Sequence, residues 1–115
     1  MKQLTIYHNP RCSKSREALQ ILLENGIKVT IVEYLKEKPS FEIILEIMEK
    51  LDVPAANLVR TKEPKYQELQ FALDDKRLIA QNLEKYPELM ERPIIFSTQR
   101  AIIGRPPENV KKLFD

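Results

Sequence analysis

The sequence predicts an α/β fold in the order βαβ, a helical block, then ββα. Three observations predict it. Near the N-terminal end two short strand-like runs flank a helical stripe, and helical periodicity fills the middle. Near the other end, two short apolar runs separated by a turn precede a proline-opened helix. With 115 residues the chain suits a single domain over 1–115, long enough to bury one core and too short to divide into two.

Gln3-Leu4-Thr5-Ile6-Tyr7 reads as a short buried strand bounded by the turn signal Asn9-Pro10. Residues 13–25 then become helical, with Ala18, Leu19, Leu22 and Leu23 as one apolar stripe. Gly26 follows as a C′ residue, since glycine enters the left-handed region without steric cost. Residues 28–34 are rich in β-branched side chains (Val29, Thr30, Ile31, Val32) and predict a second strand. The crossover makes it parallel to the first, with a right-handed connection.

Ser40 is placed to cap a helix carrying Ile43, Ile44, Ile47, Met48 and Leu51, which Asp52-Val53-Pro54 ends. Leu58-Val59-Arg60 reads as irregular, and further helices are expected over 66–73 and 75–85. Strand signals return at Ile94-Ile95-Phe96 and Ala101-Ile102-Ile103, with Ser97-Thr98-Gln99-Arg100 as the hairpin turn. Pro106-Pro107-Glu108 opens a last helix that packs Val110, Leu113 and Phe114. No internal repeat, low-complexity segment or linker interrupts this order.

Bulk composition narrows the function. Apolar content of 43% and charged content of 31% are near globular averages and argue against wholesale disorder. The 19 basic and 17 acidic residues are interspersed and leave a net charge of only +2, so no nucleic-acid partner is expected. No apolar run approaches the roughly 20 residues that span a bilayer, and the run at 4–7 is too short for a signal peptide. The expectation is therefore a cytoplasmic chain without a membrane partner. One cysteine excludes an intramolecular disulfide and a thiolate zinc site, and one histidine excludes a His-rich metal site.

That one cysteine, Cys12, falls at the junction of the first strand and first helix, in His8-Asn9-Pro10-Arg11-Cys12-Ser13-Lys14-Ser15-Arg16. A helix N-terminus offers unpaired N–H groups and the equivalent of about half a positive charge, which stabilise a thiolate and cradle an anion. Ser13 and Ser15 add hydroxyl donors, Arg11, Lys14 and Arg16 add positive potential, and His8 is close enough to polarise the thiol. Each has a plainer reading. A single cysteine is often a small buried hydrophobe, His8 a structural hydrogen-bonding residue, the serines helix caps, and the basic residues a solvated face.

The run from Tyr7 to Arg16 resembles the active-site loop of the glutaredoxin-dependent arsenate reductases, of the thioredoxin-like superfamily. Arg60 in Leu58-Val59-Arg60, Arg92 in Glu91-Arg92-Pro93-Ile94 and Arg105 in Gly104-Arg105-Pro106-Pro107 fall where that family places its oxyanion-binding arginines. The resemblance covers nearly the whole chain. It implies a thioredoxin-like fold with a mixed four-stranded sheet and a helical insertion at about 38–90 between the two halves. It also implies a cis Pro93 facing the nucleophile, where sequence alone assigns cis to only a few per cent of X-Pro bonds. Ser13 and Glu17 stand where the best-characterised members have Gly and Asn, and Lys14 offsets the charge of Glu17.

The implied activity is reduction of arsenate. Cys12 attacks the oxyanion, water leaves, and a cysteine–arsenic adduct passes to glutathione as co-substrate and then to glutaredoxin. No tightly bound cofactor or metal is implied, and a monomer is expected. Guanidinium groups suit this chemistry because they neutralise a doubly charged tetrahedral anion with forked donors. The absence of a second cysteine leaves the resolving thiols to other molecules. Two rivals remain: a monothiol reductase acting on glutathione mixed disulfides, and a thiol-switch regulator binding RNA polymerase. The regulators usually carry Cys-x-x-Cys, where this chain has Ser15 three residues after Cys12.

Overall fold

A computed structural model describes residues 3–114; Met1, Lys2 and Asp115, which the single-domain expectation includes, lie outside the described residues. Four strands, β1 (Gln3–Tyr7), β2 (Lys28–Val32), β3 (Ile94–Phe96) and β4 (Ala101–Ile103), form one sheet in the order β2-β1-β3-β4. β1 pairs parallel with β2 and antiparallel with β3, and β3 pairs antiparallel with β4, so the sheet is mixed as the resemblance implies.

Side-chain alternation sends the sheet's two faces into two cores. Leu4, Ile6, Ile95 and Ile102 meet Ala18 and Leu22 of α1 (Ser13–Glu24), together with Val110 and Leu113. Tyr7, Ile94 and Ala101 face the opposite core. There they pack with Ile44, Ile47 and Met48 of α2 (Phe41–Lys50) and Ile79, Ala80 and Leu83 of α4 (Lys76–Lys85). Each fully buried Leu or Ile contributes about 1.5–3 kcal/mol relative to exposure. Among the described residues no helix is long and apolar enough to cross a membrane.

Local signals hold at most element ends. Gly26 takes φ +70° just past α1. The Ser40 hydroxyl accepts from the Ile43 N–H, and the Asp75 carboxylate accepts from the Leu78 N–H. The expected apolar stripes are narrower than their periodicity implies: Leu23 and Ile43 are exposed. β2 ends two residues before the expected boundary, at the sheet edge, and Tyr34 turns into the interior beyond it.

Two helices differ from expectation. The helix expected over 66–73 is α3 (Pro64–Leu69), which stops where Gln70 enters the left-handed region at φ 48°. The Tyr66 hydroxyl donates to the Phe71 carbonyl at 3.1 Å and the two rings meet edge to face, which draws the chain out of helical register. The last helix is a 3₁₀ segment, Pro107–Leu113, with Asn109 N–H donating to Pro106 O three residues back. The Asn109 side chain also donates to the carbonyls of Ile103 and Arg105, tying the segment to β4. A further 3₁₀ turn covers Ala55–Leu58 and ends where the stretch expected to be irregular, Leu58-Val59-Arg60, begins.

Candidate active site

Cys12 is the N-cap residue of α1, in extended conformation at φ −96° and ψ 121°. Its carbonyl accepts from the Arg16 N–H at 3.0 Å, and its own N–H donates to the Asn9 carbonyl at 3.0 Å. The N–H groups of Lys14 and Ser15 are directed at the sulfur without closing a capping hydrogen bond by distance and angle. Burial pushes the Cys12 thiol up, but the Ser15 and Lys14 N–H groups and the Arg92 and Arg105 guanidinium groups outweigh it. The thiol pKa falls below its ordinary value. Cys12 is 9% exposed, and the backbone N–H and guanidinium groups that act on its sulfur set it apart from a cysteine in a purely aliphatic setting.

The arginines converge because of how their segments pair. Arg60 N–H donates to Leu89 O at 2.8 Å, and Val59 bridges Met90, which lays the segment ending at Arg60 beside the one leading to Arg92. Gly104 N–H donates to Pro93 O at 2.9 Å and so brings Arg105 alongside. The Arg92–Pro93 bond is cis, as the resemblance implies; Arg105–Pro106 is cis as well, which the sequence did not foretell. Together Arg60, Arg92 and Arg105 line one cleft of about 380 Å³, with Lys62, Glu63 and Glu91.

Within the cleft the three differ. Arg92 and Arg105 act on Cys12 electrostatically. Arg60 stands farther out, held by Glu63 Oε2 at 3.1 Å and donating to the Glu88 carbonyl at 3.2 Å. Arg105 Nη1 donates to Glu91 Oε1 at 3.2 Å and to the Arg92 carbonyl at 3.3 Å. Arg92 Nη1 lies 3.9 Å from that same carboxylate oxygen, while its Nε is buried without a partner.

Several loop residues take roles other than those expected. The Ser15 hydroxyl is not free to meet an anion: it lies 2.7 Å from His8 Nδ1, accepts from the Asn9 N–H at 3.0 Å, and is fully buried. Ser15 serves the thiol through its backbone instead. His8 spends Nδ1 on that hydroxyl, and burial lowers its pKa; Glu33 opposes the shift and Arg16 adds to it. The pair fixes the loop, which is the structural reading of His8. Arg16 donates to the Pro10 carbonyl at 2.9 Å and braces the loop from outside. Ser13 is exposed at the first helical position, and Lys14 pairs with Glu17 at 3.6 Å, so the offset of charge is direct.

Two residues of the site escaped the sequence reading. Glu91 places a carboxylate between two arginines, and its signal was only its position immediately before Arg92. Tyr34 is buried, yet its phenol feels the charges of Arg92, Arg60, Cys12 and Glu91; burial raises its pKa more than the arginines lower it. Its signal was topological. Binding crevices form at the carboxyl ends of parallel strands, and Tyr34 follows β2 just as the Cys12 loop follows β1. Among the described residues no cluster of His, Cys, Asp and Glu could hold a metal ion.

A family model described as the ArsC family matches residues 7–113. The chain is 44% identical to the uncharacterized protein YfgD of Escherichia coli (strain K12), over 97% of each chain. It is 39% identical to the arsenate reductase of Neisseria meningitidis serogroup B, over 96% of this chain and 97% of that one. The solved structure of an arsenate reductase from Vibrio cholerae superposes with a TM-score of 0.89 at 35% identity. It covers 96% of this chain and 97% of that one, and the sheet and helices described above are thus those of a thioredoxin-like arsenate reductase.

Proposed function

The chain belongs to the ArsC family, and from that premise we propose that it is an arsenate reductase whose nucleophile is Cys12. The observation that carries this reading is the depressed Cys12 thiol at a helix start beside Arg92 and Arg105. Relatives named arsenate reductase, similar over nearly the full chain, support it.

In this reading arsenate enters the arginine cleft as a doubly charged tetrahedral anion. Arg92, Arg105 and Arg60 neutralise it, and the N–H groups at the start of α1 receive an oxygen. The Cys12 thiolate attacks arsenic, an S–As bond forms, and one As–O bond breaks, its oxygen leaving as water after taking up protons. Arsenic remains pentavalent at this point. Reduction needs two electrons, which come from two external thiols, glutathione and then glutaredoxin, that end as a mixed disulfide; water then cleaves the S–As bond, releasing arsenite and returning the Cys12 thiol. The chain acts as a monomer in the cytoplasm with no tightly bound cofactor. Preorganised donors around the developing charge supply the main catalytic effect, since they need no reorganisation as the anion reacts.

A glutathione- and glutaredoxin-coupled assay of arsenate-dependent NADPH oxidation tests the proposal. Wild-type chain is expected to turn over arsenate, and Cys12→Ser to remain at background. Wild-type turnover no faster than that of Cys12→Ser sinks the reading.

A further inference from the structure

We propose that the Tyr34 hydroxyl is a substrate-contacting hydrogen-bond donor that, beside Arg92 Nε, completes the pocket for a tetrahedral oxyanion next to Cys12. The inference rests on the reading that this site takes such an anion, and adds to it a neutral donor from the end of the neighbouring strand.

Tyr34 is 1% exposed, and its hydroxyl makes no hydrogen bond to any described residue. Buried hydroxyls ordinarily find partners. Tyr66 shows the ordinary case in this same chain, its hydroxyl donating to the Phe71 carbonyl at 3.1 Å. Arg92 Nε is, among the described residues, the fully buried side-chain nitrogen or oxygen left without a partner. The Tyr34 phenol feels the charges of Arg92, Arg60 and Cys12, so it lies within electrostatic reach of both the cleft arginines and the nucleophile. A guanidinium N–H only donates, so a ligand that satisfies both groups must bring acceptor oxygens in more than one direction. A tetrahedral oxyanion does so, and the cationic cleft selects for it.

The backbone explains why Tyr34 is there. Val32 pairs with Tyr7 in parallel register, so the two strands deliver Tyr34 and the Cys12 loop to the same end of the sheet. The Tyr34 ring stacks on that of Tyr7, with centroids 6.4 Å apart and planes 29° apart, a contact that holds the ring without engaging its hydroxyl.

Tyr34→Phe keeps the ring and removes only the hydroxyl. The readout is protection of Cys12 from iodoacetamide by arsenate, with phosphate and sulfate as further probes; it requires anion binding but no reduction. A hydrogen bond to a charged ligand corresponds to on the order of ten-fold or more in affinity. The half-protecting arsenate concentration is therefore expected to rise about ten-fold in Tyr34→Phe, while the pH midpoint of Cys12 alkylation stays in place. An unchanged half-protecting concentration overturns the proposal. So does a rise in the alkylation midpoint, because the hydroxyl would then be serving the thiol. Should Tyr34→Phe fail to fold, fluorotyrosine-labelled wild type replaces it, with resonances assigned through Phe substitutions at Tyr7, Tyr66 and Tyr86. The Tyr34 signal is expected to shift as arsenate saturates the site, and a signal that stays fixed overturns the proposal. Protection without glutaredoxin-coupled turnover would sink the reductase reading and leave this one standing, whereas turnover without dependence on the hydroxyl would do the reverse.

Discussion

Glu91 Oε1 accepts a hydrogen bond from Arg105 Nη1 at 3.2 Å inside the cleft that Arg60 and Arg92 also line. The carboxylate is an internal anion standing where the proposed substrate's charge belongs. An entering oxyanion must share or displace it, so Glu91 sets how tightly the arginines hold an anion.

Glu91→Gln is therefore expected to bind oxyanions more tightly. The pair is partly open to solvent, with side-chain exposures of 37% and 24%, so the effect is that of a screened ion pair, about 0.5–1 kcal/mol or two- to five-fold. Arsenate protection of Cys12 from alkylation measures it. A half-protecting concentration that rises instead would show that Glu91 serves to orient the arginines.

The thiolate leads to a pH prediction with a definite sign. Burial raises the Cys12 pKa, but the Ser15 N–H, Arg92, the Lys14 N–H and Arg105 bring it below the ordinary thiol value. Because the thiolate is the nucleophile, alkylation should rise with pH through a midpoint below that of a free cysteine. Arg92→Ala and Arg105→Ala should each move the midpoint upward, and Arg92→Ala further. Stopped-flow alkylation across pH checks both the direction and the order.

Much of this site was legible in the sequence, for identifiable reasons. Cys12 was marked by its place between a strand and a helix start, and the arginines by the family pattern that Arg60, Arg92 and Arg105 match. Both strand pairs and the cap at Ser40 followed from local chemistry. Side-chain direction was what the sequence hid. Ser15 looks like an anion donor because serine beside a nucleophile often is one, yet at the third helical position its side chain turns back beneath the loop onto His8. Tyr34 reads as one more strand residue until the parallel pairing of β1 and β2 sets it beside the Cys12 loop. The helix expected to reach residue 73 stopped at Leu69 because the Tyr66–Phe71 contact overrode helical periodicity.

The His8–Ser15 pair should carry measurable stability. Ser15→Ala leaves both His8 Nδ1 and the Asn9 N–H without their partner in a buried setting, and about 1–3 kcal/mol of unfolding free energy is expected to be lost. Urea denaturation checks this. The His8 pKa is lowered in the fold by burial, with Glu33 opposing and Arg16 assisting, so the folded state prefers neutral imidazole. That contribution is fully present above the unfolded value of 6.5 and is lost as pH falls through the lower folded value. Wild type should lose more stability than His8→Gln between neutral pH and about pH 5. Parallel slopes would show that His8 contributes nothing to the acid limb.

Gly104 tests how closely the cleft's two sides must approach. A Cβ built there would lie 2.8 Å from Pro93 Cγ and 2.9 Å from Ile95 Cδ1, distances at which something must move. The Pro93 ring cannot swing aside as a long side chain would, and Ile95 is fully buried in the α1-side core. Gly104→Ala should therefore cost about 1–3 kcal/mol as an overpacked core site. The strain also has a direction, because Gly104 N–H donates to Pro93 O and the residues on either side of that contact are followed and preceded by Arg105 and Arg92. Pushing the two segments apart separates the two guanidinium groups that depress the Cys12 thiol. The variant should thus show a raised alkylation midpoint together with its lower melting temperature. A melting temperature that falls while the midpoint stays fixed would confine the role of Gly104 to packing.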